Sequence, residues 1–244
     1  MKPVIIYTMP RTRSTAVLQA CLRTTKINEP FNPNYLPCFS NNLHLGSLGP
    51  SKLVAGKHSS KHVTLQKLHL YATYYNRLDN EWISNLLQKL DSQDTAIKFF
   101  GFDLVDFLPA RNWLERCSEH GTHDIFVLTR DLREQMFSYV LAPIFGYRKD
   151  KEIEPYSIYV DSGTFYYLKK NIDSFLRFLP RRGKLITFDQ LPETHFDKTS
   201  IKIEDQNSLM KIEYIKNLDE CEYHIDELIK YFKPIWGEAI NKLL

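Results

Sequence analysis

Four short runs rich in β-branched and aromatic residues punctuate the chain: "PVIIYT" from Pro3, "TAIKFFGF" from Thr95, "DIFVLTR" from Asp124 and "KLITFDQL" from Lys184. Such nearly continuous apolar runs suit strands buried on both faces, as in a parallel sheet. Between them lie stretches of helical periodicity. Val17, Leu18, Cys21 and Leu22 form one apolar stripe, and Phe165, Leu168, Ile172, Phe175 and Leu179 another. Three further helices are predicted from "NEWISNLLQKLD", from "ARNWLERCSEH" stopped by Gly121, and from "DLREQMFSYVLA". The closing "ECEYHIDELIKYFKPIWGEAINKLL" predicts one helix bent at Pro234. Strands alternating with helices give a three-layer α/β fold, a central parallel sheet flanked by helices. In such sheets the ligand sits at the carboxyl ends of the strands.

The 244 residues, 43% hydrophobic and 25% charged, suit a single domain over residues 1–244. Residues 26–78, with Pro30, Pro33, Pro37 and Pro50, read as a long loop leading into helical pieces, the kind of segment that is functional or disordered. The net charge of +3 predicts no general affinity for nucleic acid, so any anion site is local. Cys21, Cys38, Cys117 and Cys221 stand far apart without a C-x-x-C, which favours thiols in a reducing compartment. The apolar run in "MKPVIIYT" is too short for a signal peptide, and no run approaches the ~20 apolar residues of a membrane helix. A soluble, cytoplasmic protein with no integral membrane segment is expected.

The first strand runs into "PRTRST" and then a helix. Unpaired N–H groups at a helix start attract phosphate or sulfate. The hydroxyls of Thr12, Ser14 and Thr15 suit either helix capping or anion binding, while Arg11 and Arg13 supply charge and forked donors. A nucleotide triphosphate loop would need glycines and a lysine before the Ser/Thr, and neither is present.

Position by position, "PRTRST" resembles the 5′-phosphosulfate loop of sulfotransferases, usually Pro-[Lys/Arg]-[Ser/Thr]-Gly-[Ser/Thr]-[Ser/Thr]. Arg11 falls on the basic position and Ser14 and Thr15 on the hydroxyl pair; Arg13 replaces the glycine. A second stretch, "FVLTRDLREQMFSYVLA", is similar to the family's 3′-phosphate motif, in which a strand ends in an arginine followed eight residues later by a serine. Arg130 and Ser138 have that spacing. "KLITFDQL" resembles the family's late "YEDL" strand with Phe188 and Asp189 in place of Tyr-Glu, and "AIKFF" a middle strand bearing a lysine, here Lys98. The resemblance spans residues 3 to about 191, with most of 26–90 unmatched.

The resemblance implies a P-loop NTPase-like sulfotransferase architecture using 3′-phosphoadenosine-5′-phosphosulfate (PAPS) and releasing adenosine 3′,5′-bisphosphate (PAP). It implies that residues Arg11, Thr12, Arg13, Ser14, Thr15, Arg130 and Ser138 bind cofactor, that Arg11 steadies the leaving oxygen, and that Lys98 assists. Residues 26–90 become a variable acceptor-side segment for a small-molecule, carbohydrate or lipid acceptor. Cytosolic relatives carry a histidine where Phe100 stands; other branches use a glutamate after helix one, which "NEPFNP" supplies as Glu29. Glu29 is therefore the expected general base. No metal is required, and the His58/His62 pair lacks the further ligands a metal site needs. "PRRGK" (Arg181, Arg182, Gly183, Lys184) reads as a basic turn, and Lys198 and Lys202 are weak candidates for a further phosphate loop. Two rivals stay open: an ATP- or GTP-dependent kinase-like P-loop enzyme, and a non-catalytic nucleotide-binding protein.

Overall fold

Strand β1 (Val4–Thr8) has all five residues buried, because its two faces enter two different cores. Ile5 and Tyr7 join one apolar cluster and Val4 and Ile6 the other. The computed structural model describes residues 2–21, 23–28, 87–105, 108–141, 158–193, 195–196, 199–200, 212–241 and 243. Strand β1 is the centre of a five-stranded sheet with β2 (Thr25–Asn28), β3 (Thr95–Phe100), β4 (Asp124–Thr129) and β5 (Lys184–Thr187), in the order β2-β3-β1-β4-β5. Every pairing is parallel, as the strand–helix alternation predicts.

Five helices described from end to end accompany the sheet, α1 (Ser14–Ala20), α2 (Leu108–His120), α3 (Leu132–Val140), α4 (Ser162–Arg177) and α5 (Leu218–Asn241), and residues 87–90 are helical as well. On one face Ile5, Tyr7, Phe99 and Val127 pack with residues of α2, α3, α4 and α5, among them Trp113, Met136, Phe175 and Phe232. On the other face Val4, Ile6, Ala96 and Leu128 pack with Val17, Leu18 and Cys21 in and just beyond α1. The result is a three-layer α/β fold. No helix among the described residues is long and apolar enough to cross a membrane.

Local chemistry sets the boundaries. Asp131 accepts from the Glu134 N–H (3.0 Å) and Asp161 from the Thr164 N–H (3.1 Å), so both carboxylates cap their helices. Helix α2 stops at Gly121, whose φ of 60° suits glycine. At the end of β3, a Cβ on Gly101 would lie 2.6 Å from the Phe175 backbone, so only a glycine lets α4 approach that closely. Tyr7 ties the same helix to β1 by donating to the Phe175 carbonyl at 2.8 Å.

Three features differ from the sequence reading. Strand β2 lies where the periodicity predicts the start of a loop; at four residues it is too short to carry an alternation signal. The predicted strand "KLITFDQL" ends at Thr187, where the Gln190 side chain takes the Thr187 N–H (3.0 Å) and a 3₁₀ turn covers Phe188–Glu193. A two-residue hairpin, β6 (His195–Phe196) with β7 (Thr199–Ser200), follows. The terminal helix α5 is one helix with Pro234 inside it, as the sequence predicts. Cys21, Cys117 and Cys221 are buried free thiols, while Cys38 lies outside the described residues. Burial is the larger cause that pushes the Cys117 thiol up to about 12 and the Cys221 thiol up to about 11.

Candidate anion-binding site

The strand order locates a crevice without reference to any motif. From β1 the chain crosses to β2 on one side, and from β4 it crosses to β5 on the other. Neighbouring parallel strands whose connections part in this way leave an opening at their carboxyl ends, the usual ligand position in open α/β sheets. The loop after β1 and Arg130 after β4 both stand there.

The β1 loop is strained. Arg11 (φ 72°) and Arg13 (φ 57°) are the two non-glycine residues with positive φ among the described residues. Each such conformation costs on the order of 1–3 kcal/mol, and strain of this kind concentrates at functional sites. Arg13 occupies the left-handed region (ψ 21°), a conformation that favours glycine, the residue it replaces in the resembling motif. The loop holds this shape through internal bonds. The Thr12 hydroxyl, fully buried, donates to the Met9 carbonyl (3.1 Å) and pairs with the Thr8 hydroxyl. Gln135 of α3 donates to the Pro10 carbonyl (2.8 Å) and pins the loop from the side. Thr12 thus shapes the loop with its side chain, whereas Thr15 is exposed beside it and Ser14 is buried. With seven residues, α1 offers only a short macrodipole, and formal charges dominate the site.

Those charges converge. Arg11 Nε donates to Ser138 Oγ at 3.3 Å, which joins the β1 loop to α3 across 127 positions of sequence. Arg130, its side chain 9% exposed, donates to Glu134 Oε2 at 3.0 Å. Lys98, buried near the end of β3, places Nζ 3.5 Å from Thr15 Oγ1 and 4.3 Å from the Phe100 ring centroid. Although Arg11 is exposed as a whole residue, desolvation of its guanidinium is the larger cause lowering its pKa, and the charge of Arg130 the smaller. The smaller cause reflects two arginines in one crevice, and an anion placed between them offsets both their repulsion and the desolvation.

Phe188, at the first position after β5, completes the crevice. Its ring centroid lies 4.4 Å from Arg130 Cζ and 5.5 Å from Arg13 Cζ. Sequence reasoning treats this residue only as a substitution in a strand motif; an aromatic side chain at a strand's carboxyl end, in a chain with arginines after two other strands, is the signal that could have found it.

Among the expected site residues, the fold brings together Arg11, Arg13, Ser14, Thr15, Lys98, Arg130 and Ser138, with Thr12 beneath them. Glu29 lies outside the described residues, as do His58, His62, Lys198 and Lys202. The strand that precedes Glu29 ends at Asn28, which is paired in register with Lys98. The "PRRGK" stretch is a turn before β5, at the amino ends of the strands, where Arg181 pairs with Glu119 (2.7 Å) and the Arg182 N–H meets Ser118 Oγ (2.8 Å).

At that amino end, ligand-type atoms of Asp91, Cys117 and His123 lie within 4.8 Å of one another. The histidine and the carboxylate are already engaged in hydrogen bonds. His123 Nε2 faces the Leu90 carbonyl (3.2 Å), its Nδ1 faces Thr122 Oγ1 (2.9 Å), and Asp91 accepts from Trp113 Nε1 (2.8 Å). These bonds staple α2 to the residues before β3 and before β4.

Comparison with protein-family models, with curated proteins and with solved structures finds no match to this chain.

Proposed function

We propose that the protein is a PAPS-dependent sulfotransferase with the P-loop-like architecture of that family. The observation that carries the reading is the contact of Arg11 with Ser138 beside Arg130: two stretches that separately resemble the family's phosphate motifs meet in one crevice. The lysine-free loop argues against a triphosphate-using kinase, which would hold its β- and γ-phosphates on that lysine.

In this reading the 3′-phosphate of PAPS lies against Arg130 and Ser138, and the phosphosulfate against the backbone N–H groups of residues 11–15 with the hydroxyls of Ser14 and Thr15. An acceptor oxygen attacks sulfur in line. The bond from sulfur to the 5′-phosphate oxygen breaks, its electron pair leaves with PAP, and Arg11 meets the charge that develops. The acceptor proton passes to Glu29, which follows the strand paired with Lys98. The acceptor is a small-molecule, carbohydrate or lipid hydroxyl or amine bound by residues of the 26–90 segment.

The test follows PAP release from PAPS across a panel of hydroxyl acceptors. Glu29→Gln should lower turnover by roughly 10²–10⁴-fold, the range for a positioned base, with PAP affinity nearly unchanged. Turnover that is unchanged on a hydroxyl acceptor removes Glu29 from the mechanism. Phosphoryl transfer from ATP with no sulfuryl transfer from PAPS overturns the reading itself.

A further inference from the structure

We propose that Phe188 is a positioning residue: its ring holds the guanidiniums of Arg13 and Arg130 as a pair, and the pair selects nucleotides that carry a 3′-phosphate monoester. The inference rests on the reading of the crevice as a PAPS site. It begins from three elements meeting at one ring. Arg13 comes from the loop after β1, Arg130 from the end of β4 and Phe188 from the end of β5, with both guanidinium carbons within 5.5 Å of the ring centroid.

Guanidiniums repel one another, and an aromatic face is among the few surfaces that stabilise two at once. Stacking engages the flat face of a guanidinium and leaves its N–H edge suited to forked bonds with oxygen. A phosphate monoester carries about −1.5 to −2 charges at neutral pH and three acceptor oxygens, whereas a diester or a sulfate ester carries one charge. Two forked cations therefore favour the monoester. Glu134, bonded to Arg130 Nε, fixes that guanidinium from another side. The backbone supports the same conclusion. Arg13 sits in a conformation that glycine adopts at no steric cost, so the side chain is kept there against local preference.

A merely apolar role for Phe188, which also packs against the smaller core cluster, makes different predictions. Binding of PAP and of adenosine 5′-monophosphate (AMP), which lacks the 3′-phosphate, is measured by calorimetry on the full chain. Phe188→Leu should weaken PAP about tenfold, as loss of a desolvated cation–π contact does, and change AMP by less than about twofold. Phe188→Tyr, which retains the ring face, should restore PAP binding. Arg13→Gly should raise the melting temperature by relieving the left-handed residue and still lower the PAP-to-AMP preference. The proposal is overturned if Phe188→Leu weakens both ligands equally, or if Arg13→Gly keeps the full preference. A wild-type protein that shows no preference for PAP overturns the underlying reading and this inference with it. A preference that survives both substitutions overturns the inference alone.

Discussion

Arg130 reaches the crevice along a nearly enclosed path, with its charge shared between Glu134 and the Phe188 ring. Arg130→Ala should weaken PAP by about 1.5–3 kcal/mol, the range for hydrogen bonds to charged groups. Adenosine 5′-phosphosulfate, without a 3′-phosphate, should bind this variant and the wild type alike; parallel weakening of both ligands would assign Arg130 to the fold rather than the site. Thr12 makes the opposite case. Its hydroxyl is committed to Met9 and Thr8, so Thr12→Val should cost about 1 kcal/mol in urea unfolding while any change in PAP affinity follows only from loosening of the loop. At this scale the sequence was legible where charge and spacing coincide: Arg11, Arg130 and Ser138 are read from two short stretches and meet in space. Thr12 and Phe188 were not legible in their roles. A buried and a solvent-facing threonine look the same in sequence, and the value of Phe188 depends on two arginines distant along the chain.

Elements meet at two places where single substitutions should be costly. Gly101 lets α4 lie against the end of β3, and a methyl group there would overlap the Phe175 backbone at 2.6 Å. Gly101→Ala should destabilise by about 1–3 kcal/mol, the cost of overpacking, measured as a lowered urea midpoint. At the opposite end, His123 links α2, the residues before β3 and the start of β4. Desolvation is the first cause that lowers its pKa; the Leu90 carbonyl, Asp91 and Asp124 act in the other direction and do not prevail. The unfolded chain, with an ordinary histidine near about 6.5, therefore binds the proton more readily than the folded one. Stability from this group is complete above that value and declines as pH falls toward the lowered folded value. Unfolding midpoints measured from pH 7.5 to 5 should fall in the wild type and fall less in His123→Gln; equal slopes would contradict the assignment. The elements themselves were mostly legible. Strands β1, β3 and β4 announce themselves as apolar runs, and α4 by its spacing of Phe165, Leu168, Ile172 and Phe175. Strand β2 escaped because "TKIN" has one fully buried residue and gains its strand character from pairing with β3.

For the whole molecule, the order β2-β3-β1-β4-β5 puts the two phosphate-type motifs on the neighbouring strands β1 and β4, whose connections part. The parallel sheet was legible from alternation of strands and helices, but the order of strands was not, because it depends on which edges pair in three dimensions. The central claim is that this crevice takes a nucleotide bearing a 3′-phosphate. Its most direct test compares the melting temperature of the protein with PAP and with ATP plus magnesium, each at equal concentration. A ligand that binds only the native state at about 100 times its dissociation constant adds about 2.7 kcal/mol. In a chain of this size that corresponds to a rise of about 5–10 °C. The account predicts a shift of that size with PAP and a much smaller one with ATP and magnesium; an equal or greater shift with ATP would contradict it.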